Sequence, residues 1–198
     1  MAARRSLKAP KGFAVRPTPD LVRQAVFNSL GPKVHGAGVL ELFGGTGALC
    51  LESLSRGARH AVCVELSRRH AHGIRENFEA LELPGHSLSV WVKDVFSALP
   101  ALVARGDRFD LIFADPPFGD KNVGQRSRSD SQKLLDDSNL PKLLNPDGLF
   151  VLGHAKRDRL EFPSAWEEVK CLRHGDSIMT FLSAQPLQLI GQPNSGKP

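Results

Sequence analysis

Apolar and polar positions along the chain alternate in blocks. Residues 39–43, 60–65, 88–92, 109–114 and 149–152 are short, nearly continuous apolar runs. That length and the lack of polar alternation predict strands buried on both faces. Between them, residues 48–55 (closed by Gly57), 68–83 (with Ile74, Phe78 and Leu81 on one face), 96–104 and 130–144 carry helical spacing. Ahead of the first strand, Val22, Val26 and Leu30, with Phe27 beside them, form another helical stripe that Gly31-Pro32 ends. Thr18 suits its cap, Pro19 its first position, and Asp20 its dipole. Residues 169–172 and 178–182 predict a closing antiparallel pair. Strands separated by helices specify an α/β fold built on a doubly wound, mostly parallel sheet.

Two segments lack periodicity: the cationic stretch 119–131, holding Lys121, Arg126 and Arg128, and the polar tail 185–198. The expected organisation is a basic arm (1–15), one domain (16–184) and a disordered tail (185–198). A chain of 198 residues, 41% hydrophobic and 24% charged, suits one core. With no apolar run of membrane length and no signal-peptide core, a cytoplasmic protein is expected. Cys50, Cys63 and Cys171 form no CxxC pair and no metal-ligand spacing, so reduced structural thiols and no metal are expected. The net charge of +5 is uneven: residues 1–33 carry seven basic residues against the single acid Asp20. A basic arm on a near-neutral body suits contact with a phosphate backbone.

In a doubly wound sheet, ligands bind beyond the carboxyl ends of the strands. The first strand runs into Glu41-Leu42-Phe43-Gly44-Gly45-Thr46-Gly47, and Glu65 ends the second strand 18 residues after Gly47. Glycines allow close backbone approach, and Glu65 can accept from both ribose hydroxyls. The spacing departs from a dinucleotide fingerprint, because Cys50 stands where the third glycine belongs and Glu41 would repel a pyrophosphate. A carboxylate at Glu41 instead suits the cationic amino group of S-adenosylmethionine, and Glu-x-Phe-x-Gly-x-Gly resembles motif I of class I methyltransferases. Asp94, after the third strand, can accept from an adenine amino group, with Val95 against the ring. The expected cofactor residues are Glu41, Phe43, Gly44, Gly45, Gly47, Glu65, Asp94 and Val95.

The fourth strand ends in Asp115-Pro116-Pro117-Phe118. Two prolines fix the backbone and stop the strand, which leaves a carboxylate, free carbonyls and an aromatic ring at the cleft edge. Such a set suits methylation of an exocyclic amine of a base. Its lone pair is delocalised, and acceptors for its two hydrogens favour a tetrahedral, nucleophilic nitrogen. Phe118 can stack on a base taken out of its helix. The motif alone does not separate guanine from adenine or cytosine, or either from a glutamine amide.

Further anchors accompany these residues: Arg16-Pro17-Thr18 with Arg23, Phe27 and Asn28; Ala48-Leu49 with Glu52; Ser55-Arg56-Gly57-Ala58; Asn77; and Gly175-Asp176. Together they resemble the RsmD family of bacterial small-subunit ribosomal RNA methyltransferases over roughly residues 7–182. The resemblance implies a Rossmann-like seven-stranded sheet with an antiparallel last strand, S-adenosylmethionine as cofactor, and methylation of a guanine amino group in 16S-type ribosomal RNA. It implies catalysis by Asp115 and its prolines, with Phe118 holding the base. Arg16, Thr18, Arg23, Lys121, Arg126 and Arg128 are the expected substrate contacts. The expected partner is ribosomal RNA or the small ribosomal subunit, met by a monomer. A DNA adenine methyltransferase, which normally needs a recognition domain, and a non-catalytic RNA-binding module are the competing readings. Three features depart from the family: a shortened N-terminal hairpin, Cys50 in place of a glycine, and Gly153-His154 where an acid often follows the fifth strand.

Overall fold

The computed structural model describes residues 20–118 and 126–185. The arm, Arg16, Thr18, Lys121 and all of the tail beyond Gln185 lie outside the described residues. Helix α1 (Asp20–Leu30) is followed by β1 (Gly38–Leu42), α2 (Ala48–Ser55), β2 (His60–Glu65), α3 (Arg68–Glu79), β3 (Leu88–Val92), α4 (Val95–Ala104) and β4 (Phe109–Ala114). Then come α5 (Asp130–Asp136), β5 (Leu144–Ala155), β6 (Trp166–His174) and β7 (Ser177–Ala184). The seven strands form one sheet in the order β3-β2-β1-β4-β5-β7-β6. Neighbours from β3 to β5 pair in parallel, and β7 runs antiparallel to both β5 and β6.

Alternation along the strands divides the core in two. Val39, Leu111, Phe113 and Val151 face α1, α2 and α3, where the Phe27 and Phe113 rings lie 5.8 Å apart. Leu40, Leu42, Ile112, Ala114, Phe150 and Leu152 face α4 and α5, and there Trp166 packs 5.2 Å from Phe150. Every residue of β1 is buried, as expected of a strand covered on both sides.

The closing strands β6 and β7 run longer at both ends than 169–172 and 178–182, and three other elements depart from the expected bounds. Helix α3 stops at Glu79, and Glu82 turns into the left-handed region (φ 55°), although Leu81 and Leu83 still pack on the core. Helix α5 stops at Asp136, because the Asp137 carboxylate accepts the N–H groups of Asn139 (2.7 Å) and Leu140 (3.2 Å); a local turn thereby replaces helical pairing. A short 3-10 turn follows at Pro141–Leu143. Strand β5 begins at Leu144, ahead of the Pro-Asp-Gly signal, through an irregularity opposite Phe109 and Leu111. Among the described residues no helix is long and apolar enough to cross a membrane.

Phe27 is 1% exposed between α1 and the sheet. Phe27→Ala is expected to cost about 3–5 kcal/mol in urea unfolding with an unchanged m-value. A loss under about 1 kcal/mol would show that α1 is not part of the core.

Candidate active site

The strand order reverses between β1 and β4, and a cleft of about 520 Å³ opens at the carboxyl ends there, where such sheets bind ligands. Its lining includes Phe43, Gly45, Glu65, Asp94, Val95, Asp115 and Pro117. A smaller hollow of about 240 Å³ lies at the opposite, amino ends of the strands, beside Lys33 and Asp110.

The glycine loop divides its work. Gly45 (φ 55°) faces the cleft, with nothing nearer than 3.8 Å to a Cβ placed there. A Cβ on Gly44 would overlap the Cys63 thiol, and one on Gly47 (φ 74°) would come within 2.9 Å of Ile74. Those two glycines are fixed by packing from beneath, and neither lines the cleft. Phe43 itself holds φ 58°, a sparsely populated conformation for a side-chain-bearing residue. Its ring meets Phe96 edge-on at 6.3 Å.

Two acids that look alike in sequence occupy different environments. Glu65 ends β2 with Oε2 accepting the Gly45 N–H and Oε1 the Ser67 N–H, both at 2.7 Å. His70 Nδ1 lies 3.4 Å from Oε1. Oε2, which accepts the Gly45 N–H, keeps a lone pair for a hydroxyl from the cleft. Glu41 is only 4% exposed and lies beneath the loop. It accepts the N–H groups of Cys50 (2.8 Å) and Leu49 (3.3 Å) in the first turn of α2. The expected direct contact of Glu41 with a cationic amino group is therefore not what the structure places: strand alternation points its side chain to the α2 side. Burial pushes the Glu41 carboxyl up to about 7, opposed by hydrogen bonds from Cys50 and Leu49 and reinforced by the charge of Asp115. The ligand atoms of Glu41, Cys50 and Cys63 lie within 4.8 Å of one another, and burial pushes the Cys50 thiol up.

On the far wall, Asp94 caps α4, its Oδ1 accepting the Ser97 N–H (3.0 Å), with Val95 buried beside it. Asp115 is half-buried and Pro116 buried behind the lining, while Phe118 is 46% exposed and outside it. Leu66, Ser67, His70, Phe96, Asp130 and Lys133 also line the cleft. The first three follow the acid that ends β2 and could have been read from that position. Asp130 and Lys133 carry no sequence signal, since their place depends on where the long connection after β4 returns.

The expected substrate cations are dispersed. Arg23 pairs with Asp20 (2.9 Å) and lies 3.9 Å from Glu52. Arg126 spans Glu161 and Asp136, both at 2.8 Å, and so ties the connection before α5 to the segment after β5. Arg128 is exposed. His154 is buried, with Nδ1 3.2 Å from the Ala155 carbonyl and Nε2 3.1 Å from the Thr180 hydroxyl, and burial lowers its pKa.

The profile of the family described as "Conserved hypothetical protein 95" matches residues 1–183. Ribosomal RNA small subunit methyltransferase D of Haemophilus influenzae is 30% identical over 166 residues, covering 84% of this chain and 81% of that protein. The chain belongs to the RsmD family. Another relative is YlbH of Bacillus subtilis, named as a candidate rRNA methyltransferase, at 35% identity over 176 residues, 89% of this chain and 85% of the relative. Among solved structures, the Escherichia coli candidate methyltransferase yhhF superposes with a TM-score of 0.72 at 26% identity, covering 91% of this chain and 93% of that one. Thermus thermophilus RsmC, a 16S rRNA N2 G1207 methyltransferase solved with AdoMet and guanosine, gives 0.66 at 26% identity over 88% of this chain and 45% of that one. The fold is that of the class I methyltransferases, and the seven-stranded sheet implied by the resemblance is the one observed.

The Glu41 pKa carries a signed consequence for this RsmD protein. Below 4.5 the carboxyl is protonated in the folded and unfolded chain alike. Between 4.5 and about 7 only the unfolded chain releases the proton, so Glu41 withdraws stability as pH rises through that window. Glu41→Gln does not titrate. Its unfolding free energy relative to the parent is expected to rise by roughly 2.5 kcal/mol between pH 5 and pH 8 in urea titrations. A constant offset across that range would contradict the burial argument.

Proposed function

We propose that this RsmD protein transfers a methyl group from S-adenosylmethionine to the exocyclic amino group of a guanine in small-subunit ribosomal RNA. The observation that carries the reading is that Asp115 and Pro117, from the end of β4, share one cleft with Gly45, Glu65, Asp94 and Val95.

The cleft fits the cofactor on its own chemistry. Glu65 offers a lone pair where a ribose hydroxyl would bind, and the open face of Gly45 admits close backbone approach. Val95, Phe96 and Leu66 supply apolar surface for a purine beside the Asp94 carboxylate. When bound, the cofactor supplies an electrophilic methyl on a sulfonium centre. The protein's residues then have three tasks. Asp115 accepts one hydrogen of the target amine, and a proline carbonyl of the Asp-Pro-Pro turn accepts the other, which localises the lone pair on nitrogen. The same carboxylate is placed to receive the proton that nitrogen sheds. The cleft walls hold the reacting groups together, which can supply much of the acceleration. Phe118, exposed and next in sequence to the lining residue Pro117, is available to stack on the incoming base.

Ribosomal RNA as substrate draws on the names of the relatives, and guanine on the guanosine in the RsmC complex. The basic excess of residues 1–33 supports a polyanionic partner.

Glu65→Gln is expected to weaken S-adenosylmethionine binding at least about tenfold in calorimetry, through loss of charge-assisted acceptors. Unchanged affinity would remove Glu65 from the cofactor site. With under-methylated small subunits as substrate, nucleoside mass spectrometry is expected to find N2-methylguanosine. Asp115→Ala should cut its formation by roughly a hundredfold or more. Methyladenosine as product, or transfer to DNA in preference to ribosomal RNA, would overturn the assignment of the base or the polymer.

A further inference from the structure

Gly153 lies in β5 immediately after Leu152, the residue paired with Ala114 at the end of β4. Its φ is outside the left-handed region, so backbone conformation does not demand glycine here. Space does. A Cβ at Gly153 would overlap Oδ1 of Asp115, come within 2.9 Å of its Cγ, and lie 3.2 Å from Sδ of Met179, its partner on β7. The Gly153 carbonyl accepts the Ser131 hydroxyl at 3.2 Å, which anchors this point of β5 to α5. The missing side chain is thus filled by the carboxylate that lines the cleft.

We infer that Gly153 is a positioning residue for methyl transfer: by carrying no side chain it lets the Asp115 carboxylate lie back against β5 and so fixes its direction at the cleft wall. The inference rests on the reading of Asp115 as the amine acceptor. A larger residue has to displace the Asp115 carboxyl from β5. The three nearest atoms all belong to side chains and none to backbone, so the effect is expected to fall on chemistry more than on folding. Misplacing an acceptor by a fraction of its hydrogen-bond length is enough to matter, because acceleration by orientation is steep in distance.

The test is Gly153→Ala in the full chain, assayed on under-methylated small subunits. The expected result is a kcat lowered about tenfold or more, with the S-adenosylmethionine Kd within about twofold of the parent and thermal unfolding little changed. Should the single variant melt early, kcat is read at a temperature well below its midpoint, where the chain is folded and Asp115 is still the group displaced. An unchanged kcat in a folded variant, with Asp115→Ala inactive, would overturn this inference alone. Full activity in Asp115→Ala would overturn the reading beneath it as well. Equal losses in kcat and cofactor affinity would also overturn it, since they would mark a general distortion of the cleft.

Discussion

The parallel register across the middle of the sheet pairs Leu42 with Ala114 and Ala114 with Leu152. The next residue on each strand is then Phe43, Asp115 and Gly153, so one row beyond the hydrogen-bonded ladder holds the turn into the glycine loop, the cleft carboxylate and the space that receives it. Slipping β4 by one residue against either neighbour would carry Asp115 to the opposite face and into the apolar layer under α4 and α5. Phe113 and Ile112 belong to different core layers, so a slip would exchange the two layers as well as displace the carboxylate. The chemistry of the site therefore depends on hydrophobic burial well below it.

On that frame, three acids lie at or near the carboxyl ends of three successive strands, and the environment assigns each a different part. Glu65 is held by two backbone amides yet reaches the cleft. Asp94 spends one oxygen on capping α4 and keeps its exposure. Glu41 gives both oxygens to the first turn of α2 and is shut off from water. The helix dipole and the orphan amides there favour its charge, and burial outweighs them. The carboxyl orients α2, and α2 in turn orients the loop that ends at Gly47. Glu41 thus acts on the cleft through the loop above it.

Strand positions, helix faces and the motif residues were legible because they depend on local spacing. Phe109–Ala114 followed by Asp-Pro-Pro is a buried strand with a fixed stop, whatever surrounds it. Orientation was less legible. Nothing in Glu-x-Phe-x-Gly-x-Gly says that Glu41 turns under the loop while Gly45 turns out, since that follows from which face α2 covers. The early end of α5 was hidden because the Asp137 turn competes with a helical pattern that continues through Leu144. Lys133 and Asp130 reach the cleft through a tertiary return, and Arg126 is taken up by Glu161 and Asp136, partners 35 and 10 residues away. A basic residue in a polar stretch reads as a nucleic-acid contact in sequence, but two carboxylates at 2.8 Å leave Arg126 with little net charge to offer.

The charge balance of the cleft constrains how a substrate can approach. Among the described residues, Glu65, Asp94, Asp115 and Asp130 line it together with Lys133 and His70, and Lys133 is itself 2.8 Å from Asp130. Such a lining favours a cationic ligand and opposes a phosphate, the more so where low-dielectric walls concentrate the field. For a nucleic-acid substrate only the base, which is neutral, can enter at low cost, and its phosphodiester backbone must stay outside. Under the proposed reading, the described lining fits a nucleotide displaced from its stack better than one still in it. The electrostatics also separate cofactor from product, because a ligand that gives up its sulfonium charge on transfer loses the attraction that favoured its binding.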